Sequence, residues 1–134
     1  LALREKALLT RDGSTWLNFP SGEQVPVVKA PLLAYIDQQW EEGDDLILEG
    51  WAADIEKGLP ASRIVLLADD KVFREIRPDV SRPDLVQMKG KNSLEQSGFR
   101  TKVPKLIAGE PNTLRVFAID ATGVAAEAVR PARN

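Results

Sequence analysis

The sequence predicts an all-β antiparallel sandwich with one short helix, and three observations predict it. Nine Gly and nine Pro punctuate the 134 residues into short pieces. Most of those pieces are rich in Val, Ile, Leu, Phe or Trp, the pattern of short strands joined by tight turns. A single segment, Pro78 to Lys91, breaks the β pattern and carries helix signals.

Taken in order, Ala7 to Arg11 and Thr15 to Phe19 flank the turn formers Asp12-Gly13-Ser14 and predict a hairpin. Gln24 to Lys29 predicts an extended edge piece, because Pro26 has no N–H to give a ladder on both sides. Leu32 to Gln39 and Leu46 to Ala53 predict antiparallel strands around an acidic loop, Trp40 to Asp45. Alternation in the second strand puts Leu46, Leu48, Gly50 and Ala52 on one face and Ile47, Glu49 and Trp51 on the other. Trp51 is thereby opposite Leu46 and Leu48, either in a second layer or turned by a bulge at Gly50, and a packed core position is expected of it over an exposed one.

Arg63 to Ala68 and Lys71 to Arg77 meet at Asp69-Asp70, the tightest hairpin signal in the chain, although Gly would serve better at position 70. Ser81 stands where a helix N-cap is wanted, Pro83 suits the first turn, and Asp84 follows Ser81 at capping-box spacing, predicting a helix through Met88. Ser97 to Val103 returns to extended structure. Thr113 to Asp120 and Val124 to Val129 form a last hairpin across Ala121-Thr122-Gly123. Arg115 to Ile119 is nearly continuously apolar, as a strand covered on both faces would be. The expectation is a sandwich of about eight to ten strands. Residues 1–30 form an N-terminal extension or added hairpin, 31–130 the sandwich domain and 131–134 a frayed tail.

Composition bounds the chemistry. A chain of this length forms one core and buries roughly two-thirds of its unfolded surface, enough for stability without staples. With no His and no Cys, a Cys nucleophile, a His base, a Cys/His zinc site and a disulfide framework are excluded. Eighteen Lys and Arg against twenty Asp and Glu give a net charge of −2 without a basic block, which argues against a nucleic-acid partner. No apolar run reaches the ~18 residues of a membrane span, so no direct membrane insertion of this segment is expected. Leu1 in place of Met suggests a segment of a longer protein.

Several short motifs follow one another in a characteristic order: Tyr35-Ile36-Asp37, Gly50-Trp51-Ala52-Ala53-Asp54, Gly58-Leu59-Pro60-Ala61, Ile64 to Leu67, Arg82-Pro83-Asp84-Leu85, Ser97-Gly98-Phe99 and Val116 to Asp120. As an ordered set, over about residues 32–129, the chain resembles the small immunoglobulin-like β-sandwich accessory domains appended to bacterial glycosyltransferases and other cell-envelope polysaccharide proteins. The resemblance implies a non-catalytic module beside a catalytic or membrane part; the sequence leaves the compartment open, and a periplasmic or other extracytoplasmic face is favoured only weakly over the cytoplasm. Its partners would be other domains of a parent protein. It implies no cofactor and no agreed ligand, and its structural carry-over is close backbone approach at Gly50, a loop end at Pro60 and an inward Phe99.

Candidate chemistry is sparse. Ser97-Gly98-Phe99 lacks the flanking Gly and strand-turn-helix setting of a nucleophile elbow. Glu41, Glu42, Asp44 and Asp45 crowd one loop, where glycoside hydrolysis needs two carboxylates opposed across a cleft and calcium needs six to eight oxygens. Asp54 to Gly58 reads as a turn in which Asp54 accepts local amides. No catalytic and no metal-binding residue is therefore assigned.

A glycan site is the more serious option, because an exposed aromatic ring stacks on a pyranose while neighbouring amides and acids take its hydroxyls. Trp40, Tyr35, Gln38 and Glu42 are the candidate ligand-binding residues, with Trp16 a further exposed-aromatic candidate. For Trp40 itself, capping the core with its indole N–H on one partner is the preferred reading, because aromatic residues mostly pack. Arg77 and Arg82 are candidate contacts for an anion, such as a charged glycan, against the alternative of pairing with Asp79 and Asp84. The expected function is a non-catalytic accessory domain that docks or positions a partner or glycan. The alternatives are a carbohydrate-binding module using its exposed aromatics and, last, a small hydrolase.

Overall fold

The computed structural model describes residues 7–90, 92–108 and 114–130. The predicted tail 131–134 lies outside them. The chain is an all-β sandwich of immunoglobulin-like arrangement. One sheet, in the order β11 (Ala125–Glu127), β10 (Leu114–Ile119), β7 (Arg63–Ala68), β8 (Lys71–Ile76), faces a second built on β4 (Leu32–Glu42), β5 (Asp45–Asp54) and β9 (Gly98–Pro104). The short strand β6 (Leu59–Pro60) continues the β9 edge of β5. All named pairings are antiparallel.

Residues 7–26 make a third sheet, β1 (Leu8–Arg11), β2 (Ser14–Asn18), β3 (Gln24–Pro26). It packs on the far side of the β7–β10 sheet. Alternation along β7 and β10 shows this directly: Ile64, Leu66, Val116 and Ala118 join the core shared with β4, β5 and β9. Val65, Leu67, Phe117 and Ile119 join a second core with Leu17, Phe19 and Val25. A strand buried on both faces must be apolar at successive positions, which is why Ile64 to Leu67 and Val116 to Ile119 are unbroken hydrophobic runs. Arg63 fastens the layers at the rim, with its guanidinium over the Phe19 ring and 3.0 Å from both Glu23 and Glu75.

The other outer face, that of the β4–β5–β9 sheet, is covered at one end by α1 (Pro83–Lys89) and a 3₁₀ turn, Asn92–Ser97. Leu85 and Leu94 close over Ala53, with Trp51 against them. Trp51 thus lies outside the main core, under this cap. The N-cap differs from expectation. Arg82, not Ser81, occupies it without a side-chain cap bond. Ser81 instead donates its hydroxyl to Glu95, and Asp84 is taken by Arg82, so neither is free to cap. Pro83 holds the first helical position, where its missing N–H costs nothing.

Other departures are local. β4 and β5 continue to Glu42 and Asp45, so the expected six-residue loop shrinks to a turn at Gly43 and Asp44. The acidic strand ends face cations: Glu41 meets Lys105 at 2.6 Å and Asp45 meets Lys102 at 3.9 Å. A second short helix, α2 (Lys105–Ala108), and the two-residue strand β6 have no periodic signal to announce them, whereas β3 and β11 are shortened forms of the expected pieces Gln24 to Lys29 and Val124 to Val129. The chain end crosses between the sheets. After β11, Val129 pairs parallel to Tyr35, and Arg130 donates to the Leu114 carbonyl at 2.7 Å and to Gln39 at 2.9 Å.

Candidate ligand-binding face

A strand of period two puts residues 35 and 40 on opposite faces. In β4 they share one face, because the register shifts between Ile36 and Gln38 and Asp37 is the extra residue of a β-bulge. The pairings lay out the outward surface row by row. Tyr35, Trp51 and Gly98 form one row, Gln38, Glu49 and Arg100 the next, and Trp40, Ile47 and Lys102 the third. Tyr35 and Trp40 are therefore two rows apart with a polar row between them.

Tyr35 is exposed, and its ring lies on Trp51 with centroids 5.2 Å apart and planes tilted by 31°. Trp40 is half-buried. Its indole N–H donates to Glu42 at 3.3 Å, and the Arg100 guanidinium sits 5.2 Å from its ring centre. Arg100 in turn faces Glu49 at 3.7 Å. The Gln38 amide is exposed and has no side-chain partner among the described residues. Tyr35, Gln38, Trp40 and Glu42 are thus brought to one face, and Trp40 lies within a strand, not in the loop expected of it. Arg100 and Glu49 complete the surface. Alternation in Gly98 to Pro104 marks Arg100 as outward, but only the β5–β9 register shows that it lies beside Trp40.

Arg82 and Arg77 are separated. Arg82 chelates Asp84, through Nε at 2.9 Å and Nη2 at 2.8 Å, and also donates through Nη2 to Asp37 at 2.8 Å. The hydrogen bond to Asp84 is the main cause of a guanidinium pKa raised further above its ordinary value, and partial burial opposes it. The same bond holds the Asp84 carboxyl below the usual carboxylate range. Two carboxylates occupy Arg82, so an incoming anion must displace one of them. Arg77 is exposed just beyond the end of β8, on the other sheet's side, and lines a shallow cleft with Ser62, Arg63, Glu75 and Ile76.

Close approach accounts for two glycines here, and Arg82 for one of them. A Cβ on Gly98 would stand 2.6 Å from Arg82 Cγ and 2.6 Å from the Val80 carbonyl oxygen. A Cβ on Gly50, opposite the bulge, would stand 1.9 Å from the Tyr35 carbonyl oxygen. The short motifs around Asp37, Gly50-Trp51, Arg82-Pro83-Asp84 and Ser97-Gly98 therefore converge on one structural latch beside the Tyr35 row. Asp54, 4% exposed, accepts from the N–H groups of Glu56 and Lys57 at 3.0 and 2.9 Å, the local turn that its sequence predicts. Ser97 is fully buried, and its hydroxyl has no partner among the described residues.

Among the described residues no three acidic side chains converge to hold a metal ion, and no helix is long and apolar enough to cross a membrane. No family model, curated protein or solved structure matches the chain.

Proposed function

We propose that this chain is a non-catalytic accessory domain of a larger cell-envelope or glycosyltransferase-type protein, and that it positions a glycan on the outer face of the β4–β5–β9 sheet. The observation that carries the reading is the bulge at Asp37, which turns Tyr35, Gln38 and Trp40 to one face alongside Glu49 and Arg100. Tyr35, backed by Trp51, offers a rigid ring for an apolar sugar face, and the adjacent polar row offers both donors and acceptors for hydroxyls. Arg100 and Glu49 already face each other, so the surface presents balanced charge and suits a neutral or weakly charged chain. The carboxylates of the β4–β5 turn engage Lys105, Lys102 and the Trp40 indole, an arrangement of strand-end ion pairs and not of an opposed acid and base.

The test is calorimetric titration of neutral and anionic bacterial polysaccharides into the parent protein, Tyr35→Ala and Trp40→Ala. Saturable binding that weakens about tenfold or more in variants that keep their thermal transition supports this face as the site. No binding across the panel overturns it.

A docking function of the same domain is favoured by α2, where Leu106 is 96% exposed and Ile107 is exposed beside it, at the end of the sandwich next to the β4–β5 turn.

A further inference from the structure

The β1–β2–β3 sheet has its own outward face, on the opposite side of the molecule from Tyr35 and Trp40. Leu17 and Val25 point inward and are 1% exposed, which fixes the neighbouring positions outward. Leu9, Trp16 and Pro26 form one cross-strand row at the centre of that face. Arg11 and Ser14 pair on one side of the row, and Asn18 and Gln24 on the other. A groove of about 290 Å³ runs across this surface, lined by Leu9, Arg11, Asp12, Ser14, Trp16 and Gln24. Trp16 is half-buried, its indole N–H has no partner among the described residues, and Arg11 has no ion-pair partner among them. The remaining polar side chains of the groove are exposed and equally uncommitted.

We propose that this groove is a second binding site, for an acidic sugar residue of a glycan chain, with the pyranose ring against Trp16 and its carboxylate on Arg11. A sugar presents an apolar face bordered by hydroxyls, and the groove presents an aromatic wall bordered by amide, hydroxyl and carboxylate groups. Ser14 and Gln24 give and accept hydroxyl hydrogen bonds, and Asp12, in the hairpin turn with φ of 53°, accepts them. Arg11 selects for the acid: a planar guanidinium forms paired hydrogen bonds to a carboxylate, and it is the one cation among the described residues that line the groove. A proline-rich peptide would need successive aromatic ridges, and this face has a single ring among the described residues. The buried underside of the sheet holds the groove in one shape before binding, which limits the ordering cost. This site is independent of the face proposed above.

The experiment uses the three tryptophans, whose indole N–H groups give three resolvable resonances in a proton–nitrogen correlation spectrum, assigned with Trp→Phe variants. The probe is an oligosaccharide of alternating glucuronic acid and N-acetylglucosamine, with a neutral N-acetylglucosamine oligomer of equal length as control. The expected result is a saturable shift of the Trp16 resonance, about tenfold weaker in dissociation constant for the neutral oligomer and for Arg11→Gln. That shift persists in Tyr35→Ala, whose face is distinct. An unmoved Trp16 resonance, equal affinity in Arg11→Gln, equal affinity for the neutral oligomer, or a response to a proline-rich peptide in place of the sugar would each overturn the proposal. A shift of the Trp40 resonance alone would support the first face and overturn the second.

Discussion

Arg82 reaches across 45 residues of sequence to Asp37, with Nη2 2.8 Å from Oδ2, so the residue that opens α1 is tied to the residue that bulges β4. The side chain of Arg82 is 17% exposed and also chelates Asp84. One guanidinium therefore holds the helical cap, the bulge and the Tyr35 row in a common arrangement. Replacing Arg82 by Ala removes three charge-assisted hydrogen bonds whose acceptors remain partly in water, a loss of about 1–2 kcal/mol. Arg82→Lys recovers less than half of this, because an ammonium cannot chelate a carboxylate in the same plane. Urea denaturation of both variants, with Asp37→Asn completing a double-mutant cycle, measures the coupling. A cycle energy indistinguishable from zero would mean that Arg82 acts by packing alone.

Gly50→Ala should be more damaging than the same change at Gly98, the other glycine with a close backbone contact among those described. The added Cβ would lie 1.9 Å from the Tyr35 carbonyl oxygen and 3.0 Å from Ile36 Cα, both backbone atoms of the bulged strand. Relief requires the strands to separate where the bulge sits, at a cost of about 3 kcal/mol, the upper part of the overpacking range. Thermal denaturation reads the loss. The correlation spectrum of the same variant should show the Trp51 and Trp40 indole resonances moving together, since the two residues share the outward face of this sheet.

Legibility of the sequence follows from this geometry. Alternation in Leu46 to Ala53 states which side of β5 is buried, and the runs Ile64 to Leu67 and Val116 to Ile119 state that two strands are covered twice. Such patterns are local, so sequence carries them. What covers those strands is not local. That residues 7–26 form the covering sheet depends on Leu17 and Val25 meeting Val65 and Phe117, a contact between segments about 40 and 100 residues apart. Tyr35 and Trp40 show the same limit within one strand. Their odd spacing argues for opposite faces, and the bulge that reverses it is fixed by Gly50 on the neighbouring strand. Ser81 looks like a helix cap because local spacing cannot show that Glu95 and Arg82 take the groups a capping box would use.

The β7–β8 hairpin can be improved by choosing residues that its backbone favours. Asp69 and Asp70 both adopt positive φ, 53° and 62°, a conformation that costs most L-residues about 1–2 kcal/mol and that Asn and Gly tolerate best. Asp70 also stands 3.9 Å from Arg115, an exposed pair of little worth. The double replacement Asp69→Asn, Asp70→Gly should raise stability by about 1 kcal/mol, after the greater chain entropy of Gly is subtracted. The measurement is the urea midpoint at unchanged slope. An unaltered or lowered midpoint would show that the Arg115 contact outweighs the backbone gain.

Asp120 makes stability depend on acid. Burial alone would raise its pKa, but the Thr122 hydroxyl at 2.7 Å and the N–H groups of Thr122 and Val124 at 2.9 and 3.1 Å favour the carboxylate more, and the net shift is downward. A carboxyl whose folded pKa lies below its unfolded value of about 3.8 binds protons more readily once the chain unfolds. Its contribution is therefore fully present above that unfolded value, and it is lost as pH falls through the folded value. Asp84, held down by Arg82, acts in the same direction. Asp120→Asn keeps an acceptor for the turn and removes the charge, which isolates the titrating part from the geometry. Melting temperatures of parent and variant should differ at pH 7 with the parent higher, and the gap should narrow steadily below about pH 4. A gap that stays constant down to pH 2 would assign the stabilisation to the turn's hydrogen bonds irrespective of charge.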